Sequence, residues 1–172
     1  LINSAGGETR VGPGQRLHLT NTGTQSNAGG IEVIGNAPQT AEIEFDGALT
    51  NAASTGNISA SHATLRFSGG LTNQGAVGIV FGTTYIHGDI NNKPGATIAV
   101  KVNSNVVFWN DLTNNGTVDV SAGSTAVYFG TVTGVGSFTG SGMTVVEGGL
   151  SPGNSPGAIN FAGDVVLGSG PQ

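Results

Sequence analysis

Short alternations of apolar and polar residues recur along this chain, each closed by Gly, Asn, Ser or Asp. Many carry one phrase: an apolar residue, then Thr and Asn, then a Gly-containing turn. It reads Leu19-Thr20-Asn21, Leu49-Thr50-Asn51, Leu71-Thr72-Asn73 and Leu112-Thr113-Asn114, with Ile90-Asn91-Asn92 as a variant. A period of two marks β-strands, and no stretch shows the i, i+3, i+4, i+7 spacing of an amphipathic helix. Recurrence at a spacing of about twenty residues marks a chain that coils and stacks on itself.

Aligning the phrases gives anchors at Leu49, Leu71, Ile90, Leu112, Val132 and Leu150, with successive spacings of 22, 19, 22, 20 and 18. Val165 begins a last, shorter unit. One strand precedes each anchor, as in Leu65-Arg66-Phe67 or Val127-Tyr128-Phe129. Another follows each turn, as in Thr117-Val118-Asp119-Val120. One such unit cannot bury its Val, Ile and Phe alone. Piled at roughly 4.8 Å, successive units satisfy each other's backbone in parallel sheets and share one linear core. The irregular spacing favours a right-handed parallel β-helix over the strictly regular left-handed hexapeptide type. The expected fold is therefore all-β: a single-stranded right-handed parallel β-helix (a β-solenoid) of about seven rungs of 18–22 residues, with an irregular N-terminal cap. Residues 1–40 are assigned to that cap and an irregular first rung, 41–150 to regular rungs, and 151–172 to a Ser-Pro-Gly loop and terminal rung, all in one continuous domain. Leu19 stands thirty residues before the next anchor, which predicts an insertion around Gln25 to Gly30.

Composition narrows the function. Gly supplies 31 residues and charged residues only 9%, yet the recurring Val, Ile, Leu and Phe alternations argue for order rather than disorder. The net charge is −5, and the five cations, Arg10, Arg16, Arg66, Lys93 and Lys101, are scattered. They form no basic stripe, which excludes nucleic-acid binding by phosphate neutralisation. No apolar run approaches the roughly 18 residues of a membrane span. There is no Cys and hence no disulfide. The chain starts without Met and reads as a mature or excised segment, with any targeting signals lying outside it.

Candidate chemistry is sparse. Asn51, Asn73, Asn92 and Asn114 should stack at one corner as a structural amide ladder, as amides do in cross-β assemblies, ending where Gly134 and Pro152 take their place. Asp89, Asp111 and Asp164 each precede an anchor, but only the first two fall in adjacent units, so they read as solvated turns with no metal assigned. Gly153-Asn154-Ser155-Pro156-Gly157 matches the nucleophile-elbow pattern but lacks its strand, helix and His partners. His18, His62 and His87 have no metal-ligand spacing. Arg66, His87 and Asp89 fall near one another, without the convergent carboxylate pair of a glycosidase. No enzymatic activity and no cofactor are expected. Tyr85, Phe108, Trp109, Tyr128 and Phe129 cluster in consecutive units, and alternation sends Phe108 and Trp109 to opposite sides. Tyr85, Trp109 and Tyr128 are the candidate ligand-binding aromatic face.

From Val145 to Gly168 the chain reads VVEGGLSPGNSPGAINFAGDVVLG. Through Gly149, Leu150, Ser151, Pro152, Gly153, Ser155, Pro156 and Gly157 it resembles the G-x-L-S-P-G-x-S-P-G segment of repetitive bacterial surface proteins. That segment occurs in autotransporter passenger-like β-helices and in large extracellular proteins of the PEP-CTERM-sorted type. The resemblance implies a secreted, cell-surface or matrix-associated bacterial β-helix without an assigned activity. Neither an outer-membrane β-barrel nor a sorting segment follows in this sequence. The expectation is a structural scaffold, a fibre or an adhesin stalk, partnered by itself end to end or laterally, or by surface polysaccharide. The alternatives are a carbohydrate-binding module using the aromatic face and, third, a polysaccharide lyase or hydrolase.

Overall fold

A computed structural model describes residues 1–153 and 157–168. The described chain is β-strand and turn throughout, wound as a parallel β-solenoid of eight rungs. Each rung contributes to three faces. The first face is built from Ile2–Asn3, Gln25–Asn27, Leu49–Asn51, Leu71–Asn73, Ile90–Asn92, Leu112–Asn114, Val132–Gly134 and Leu150–Pro152, paired in that order. The second runs from Glu8–Val11 through Gly30–Ile34, Asn57–Ser61, Thr117–Val120 and Ser137–Thr139 to Asn160–Phe161. The third runs from Arg16–Leu19 through Ala41–Phe45, Ala63–Phe67, Thr125–Tyr128 and Met143–Val146 to Asp164–Leu167. In the fourth and fifth rungs one long strand, Ala76–His87 and then Thr97–Phe108, spans the second and third faces without a break.

The corner between those two faces explains the long strands. Polar turn residues were expected there, but Phe81 (φ 55°) and Val102 (φ 59°) turn the chain in the left-handed region, followed by Gly82 and Asn103. The register slips between Val80 and Gly82. A bulge of this kind bends a strand without ending it. Phe81 and Val102 are exposed as a result.

Two sequence expectations are corrected at the N-terminal end. Leu19-Thr20-Asn21 is not an anchor phrase: Leu19 ends a third-face strand and registers with Phe45. The anchor register is taken by Gln25-Ser26-Asn27, which align with Leu49-Thr50-Asn51, and before them by Ile2-Asn3. Residues 1–45 thus form two complete rungs rather than a cap, an irregular rung and an insertion, which raises the rung number from about seven to eight. Gln25 occupies an apolar anchor site because its amide is satisfied there: Oε1 accepts from the Leu1 nitrogen at 3.0 Å and Nε2 donates to the Asn21 carbonyl at 3.1 Å. At the other end, Val165 is not an anchor. It lies in the third face against Thr144, and the last anchor among the described residues is Leu150.

The core is one continuous column of inward Val, Ile, Leu and Phe side chains. Like residues sit over like, so rings stack from rung to rung: Phe45 on Phe67 at 5.8 Å, Phe108 on Tyr128 at 4.7 Å and Phe138 on Phe161 at 4.6 Å. Beside this apolar column runs a buried amide ladder, because the Asn of each phrase points inward. Asn3 Nδ2 donates to Asn27 Oδ1, Asn27 to Asn51, Asn51 to Asn73 and Asn73 to Asn92, each at 2.8 Å, and Asn92 donates to Asn114 at 2.9 Å. Each Nδ2 also reaches a main-chain carbonyl on the second face, as Asn73 does to Thr97 at 3.2 Å. The ladder therefore ties two faces together as well as successive rungs. Gly134 and Pro152 occupy the column after Asn114.

Candidate interaction face

Strand alternation divides the aromatic cluster into an inner and an outer stack. On the third face Phe108 and Tyr128 point inward, and the next residues, Trp109 and Phe129, point outward. Tyr128 was expected on the exposed face; it is instead fully buried, stacked on Phe108 and met edge-on by Phe138 at 6.1 Å. Among the described residues its hydroxyl has no hydrogen-bond partner, and burial pushes its phenol up, so the group stays un-ionised. A buried hydroxyl without a partner costs about 1–3 kcal/mol. Tyr128→Phe is therefore expected to stabilise the chain by about 1 kcal/mol, read as a raised denaturant midpoint with an unchanged slope. A lowered midpoint would mean that the hydroxyl is satisfied in solution.

The outer stack is longer than the sequence suggested. His87, Trp109 and Phe129 form it, with ring centroids 6.0 and 4.7 Å apart and interplanar angles of 10° and 12°. Phe129 and Trp109 are each 45% exposed. Arg66 precedes His87 in this column and Glu147 follows Phe129. The adjoining outer column carries Tyr85, Val107, Val127 and Val145 in mutual register. Tyr85 is exposed, as expected, but stands in this second column rather than over Trp109. Phe129 and His87 were missed as members of the stack. Counting back from the anchors finds them: His87, Trp109 and Phe129 each lie three residues before Ile90, Leu112 and Val132.

Electrostatics changes along the same face. Toward the N-terminal end it is charged: Arg16 pairs with Glu44, Arg66 Nε lies 2.7 Å from Glu42, and His18 Nε2 lies 2.9 Å from Asp46. His18, Glu44 and Asp46 bring three potential ligand atoms within 4.8 Å of one another, with Glu44 already engaged by Arg16. Partial burial, reinforced by the nearby Arg66 charge, holds the His87 imidazole below its usual range. It is therefore neutral at pH 7. From His87 to Phe129 the face is aromatic and aliphatic, and Glu147 follows.

The acidic corner is a capping device. Asp89 Oδ1 accepts from the Asp111 N–H at 3.3 Å, and Asp111 Oδ1 from the Thr131 N–H at 2.7 Å. Each carboxylate thus satisfies the backbone of the next rung at the lip of a shallow groove of about 330 Å³. Asp164 does not belong to this column; it registers with Met143 on the third face. Of the nucleophile-elbow match, Asn154, Ser155 and Pro156 lie outside the described residues. Among the described residues no helix is long and apolar enough to cross a membrane. Comparison of the chain with protein-family models, curated proteins and solved structures finds no match.

Proposed function

We propose that this chain is a non-catalytic structural solenoid of a bacterial cell-surface or extracellular protein, serving as a stiff stackable element of a fibre, matrix or adhesin stalk. One observation carries this reading: every rung stacks in parallel on the same three faces, and one inner amide ladder runs unbroken from Asn3 to Asn114. Identical in-register layers resist bending and slippage, since a one-residue slip would turn the Asn column outward. The resemblance of the Gly149–Gly157 segment to repetitive surface proteins supports the extracellular setting. The engagement of Asp89 and Asp111 with backbone N–H groups supports a capping rather than a catalytic role for the acids.

The carbohydrate-binding alternative draws on exposed Tyr85 and Trp109. Sugar rings stack on open aromatic faces. Here the faces of Trp109 are covered by His87 and Phe129 within its own column, so mainly ring edges are presented. The test is retention of the purified chain on insoluble polysaccharides, with reducing-sugar release assayed in parallel and electron microscopy at high concentration. Ordered assemblies without retention or release are the expected result. Retention lost in a folded Trp109→Ala variant would overturn the structural reading in favour of a binding module, and sugar release would overturn it in favour of an enzyme.

A further inference from the structure

The outward side of the third face is self-complementary, and we infer that it pairs with the same surface of a second copy about a two-fold axis passing through Trp109. The pattern of one column carries the inference. In order along the stack it reads Arg66, His87, Trp109, Phe129, Glu147. A cation and an anion therefore stand two rungs to either side of a central Trp. A two-fold interface demands that residue i meet j while j meets i. An axis along the strand direction at Trp109 meets this demand at each of these five positions. Trp109 faces its own copy, His87 faces Phe129, and Arg66 faces Glu147 twice over.

The neighbouring column obeys the same operation. Val107 lies level with Trp109 and faces itself and Tyr85 faces Val127, so apolar meets apolar at the centre, while Thr64 faces Val145 at the margin. The charges are available. Glu147 is exposed and has no ion-pair partner among the described residues, and the Arg66 side chain remains 39% exposed beside Glu42. Exposed Trp, Phe and Tyr with Arg at the margin are also the residues enriched where protein surfaces meet. Neutral His87 adds no cation to the aromatic centre.

Size sets the strength. A patch five rungs long and two to three columns wide measures ~20 Å by ~14 Å at strand and pleat spacings, below the ~800 Å² per partner of a standard stable interface. The pairing is a weak one that gains force when many copies are held close together, which is how it serves the structural role proposed above. It rests on that role only for its biological sense. Polysaccharide retention with an intact dimer would sink the role and leave the pairing standing, and ordered assemblies that persist in Trp109→Lys without retention would do the reverse.

The experiment is sedimentation equilibrium of the whole chain over a concentration series at low and high salt, with folding checked by circular dichroism. The wild type is expected to form a dimer that weakens as salt rises. Glu147→Arg, at an exposed position, sets Arg against Arg66 and should weaken dimerisation by about tenfold. Trp109→Lys sets like charges on the axis and should abolish it. The double exchange Arg66→Glu with Glu147→Arg restores opposite charges and should recover the dimer lost in Glu147→Arg. A chain that stays monomeric throughout overturns the inference. So does a dimer indifferent to Glu147→Arg and Trp109→Lys, since such a dimer uses another face.

Discussion

Asn73→Ala is expected to lower the stability of the chain by about 2–4 kcal/mol, far more than a polar substitution outside the core. Asn73 is fully buried in the middle of the ladder. Its Oδ1 accepts from Asn51, and its Nδ2 donates to Asn92 Oδ1 and to the Thr97 carbonyl. Asn51 loses little, because its amide also reaches the Gly56 and Ala76 carbonyls at 3.2 and 3.0 Å. Asn92 Oδ1 loses its donor in a site closed to water. An orphaned buried acceptor costs about 1–3 kcal/mol, and the truncated side chain adds a small cavity.

Position along the ladder sharpens the expectation. Asn3 stands at its end and only donates, to Asn27 and Gly30, so Asn3→Ala should cost about 1 kcal/mol. Thr72→Ala, one residue before Asn73 but facing outward, should fall within about 0.5 kcal/mol of wild type. Coupling gives a second readout. Asn51→Ala and Asn73→Ala share a hydrogen bond and should be non-additive, whereas Asn3→Ala and Asn114→Ala should add. Chemical denaturation of these variants checks the set. Equal losses at Asn3, Thr72 and Asn73 would mean that the amides do not act as a ladder.

The architecture was legible because a solenoid writes itself in sequence once per rung. Six of the eight anchors are apolar residues of a readable phrase from Leu49 onward. The second rung was hidden by a substitution of chemistry rather than of shape. Gln25 fills an apolar slot with a long side chain whose amide finds partners at the rung's margin, and nothing local announces this. Leu19-Thr20-Asn21 meanwhile imitates the phrase while its Leu serves the Phe45 column. The corner at Phe81 and Val102 was equally silent, since neither residue favours positive φ; neighbouring rungs impose it. At the interaction face the cluster was visible but its parity was not. Tyr128 is one residue from exposure, and a strand reverses direction at every residue. Only the distance to the anchor settles which of Tyr128 and Phe129 faces out.

The same column logic predicts that restoring the phrase where it lapses will fail. Gly134 holds the position after Asn114, and Gly134→Asn rewrites Val132-Thr133-Gly134 as the consensus phrase. On pattern alone it should extend the ladder and stabilise the chain. It is expected instead to destabilise by more than about 3 kcal/mol. Gly134 has φ 111°, beyond the left-handed well that Asn tolerates. A Cβ built there lies 2.0 Å from the Asn114 carbonyl oxygen and 2.7 Å from its carbon. Both are backbone atoms in a fully paired rung and cannot step aside. The ladder has also already closed, since Asn114 Nδ2 donates to the Ser137 carbonyl at 3.2 Å and its Oδ1 accepts from Asn92 and from the Gly116 N–H. The damage should be local before it is global, because each rung leans only on its neighbours. Hydrogen exchange of Gly134→Asn should show lost protection in Ser137–Thr139 and Met143–Val146, with Leu49–Asn51 and Leu71–Asn73 protected as in wild type. A variant as stable as wild type, with protection extended into Leu150–Pro152, would show that backbone strain does not end the ladder and that the missing amide alone does.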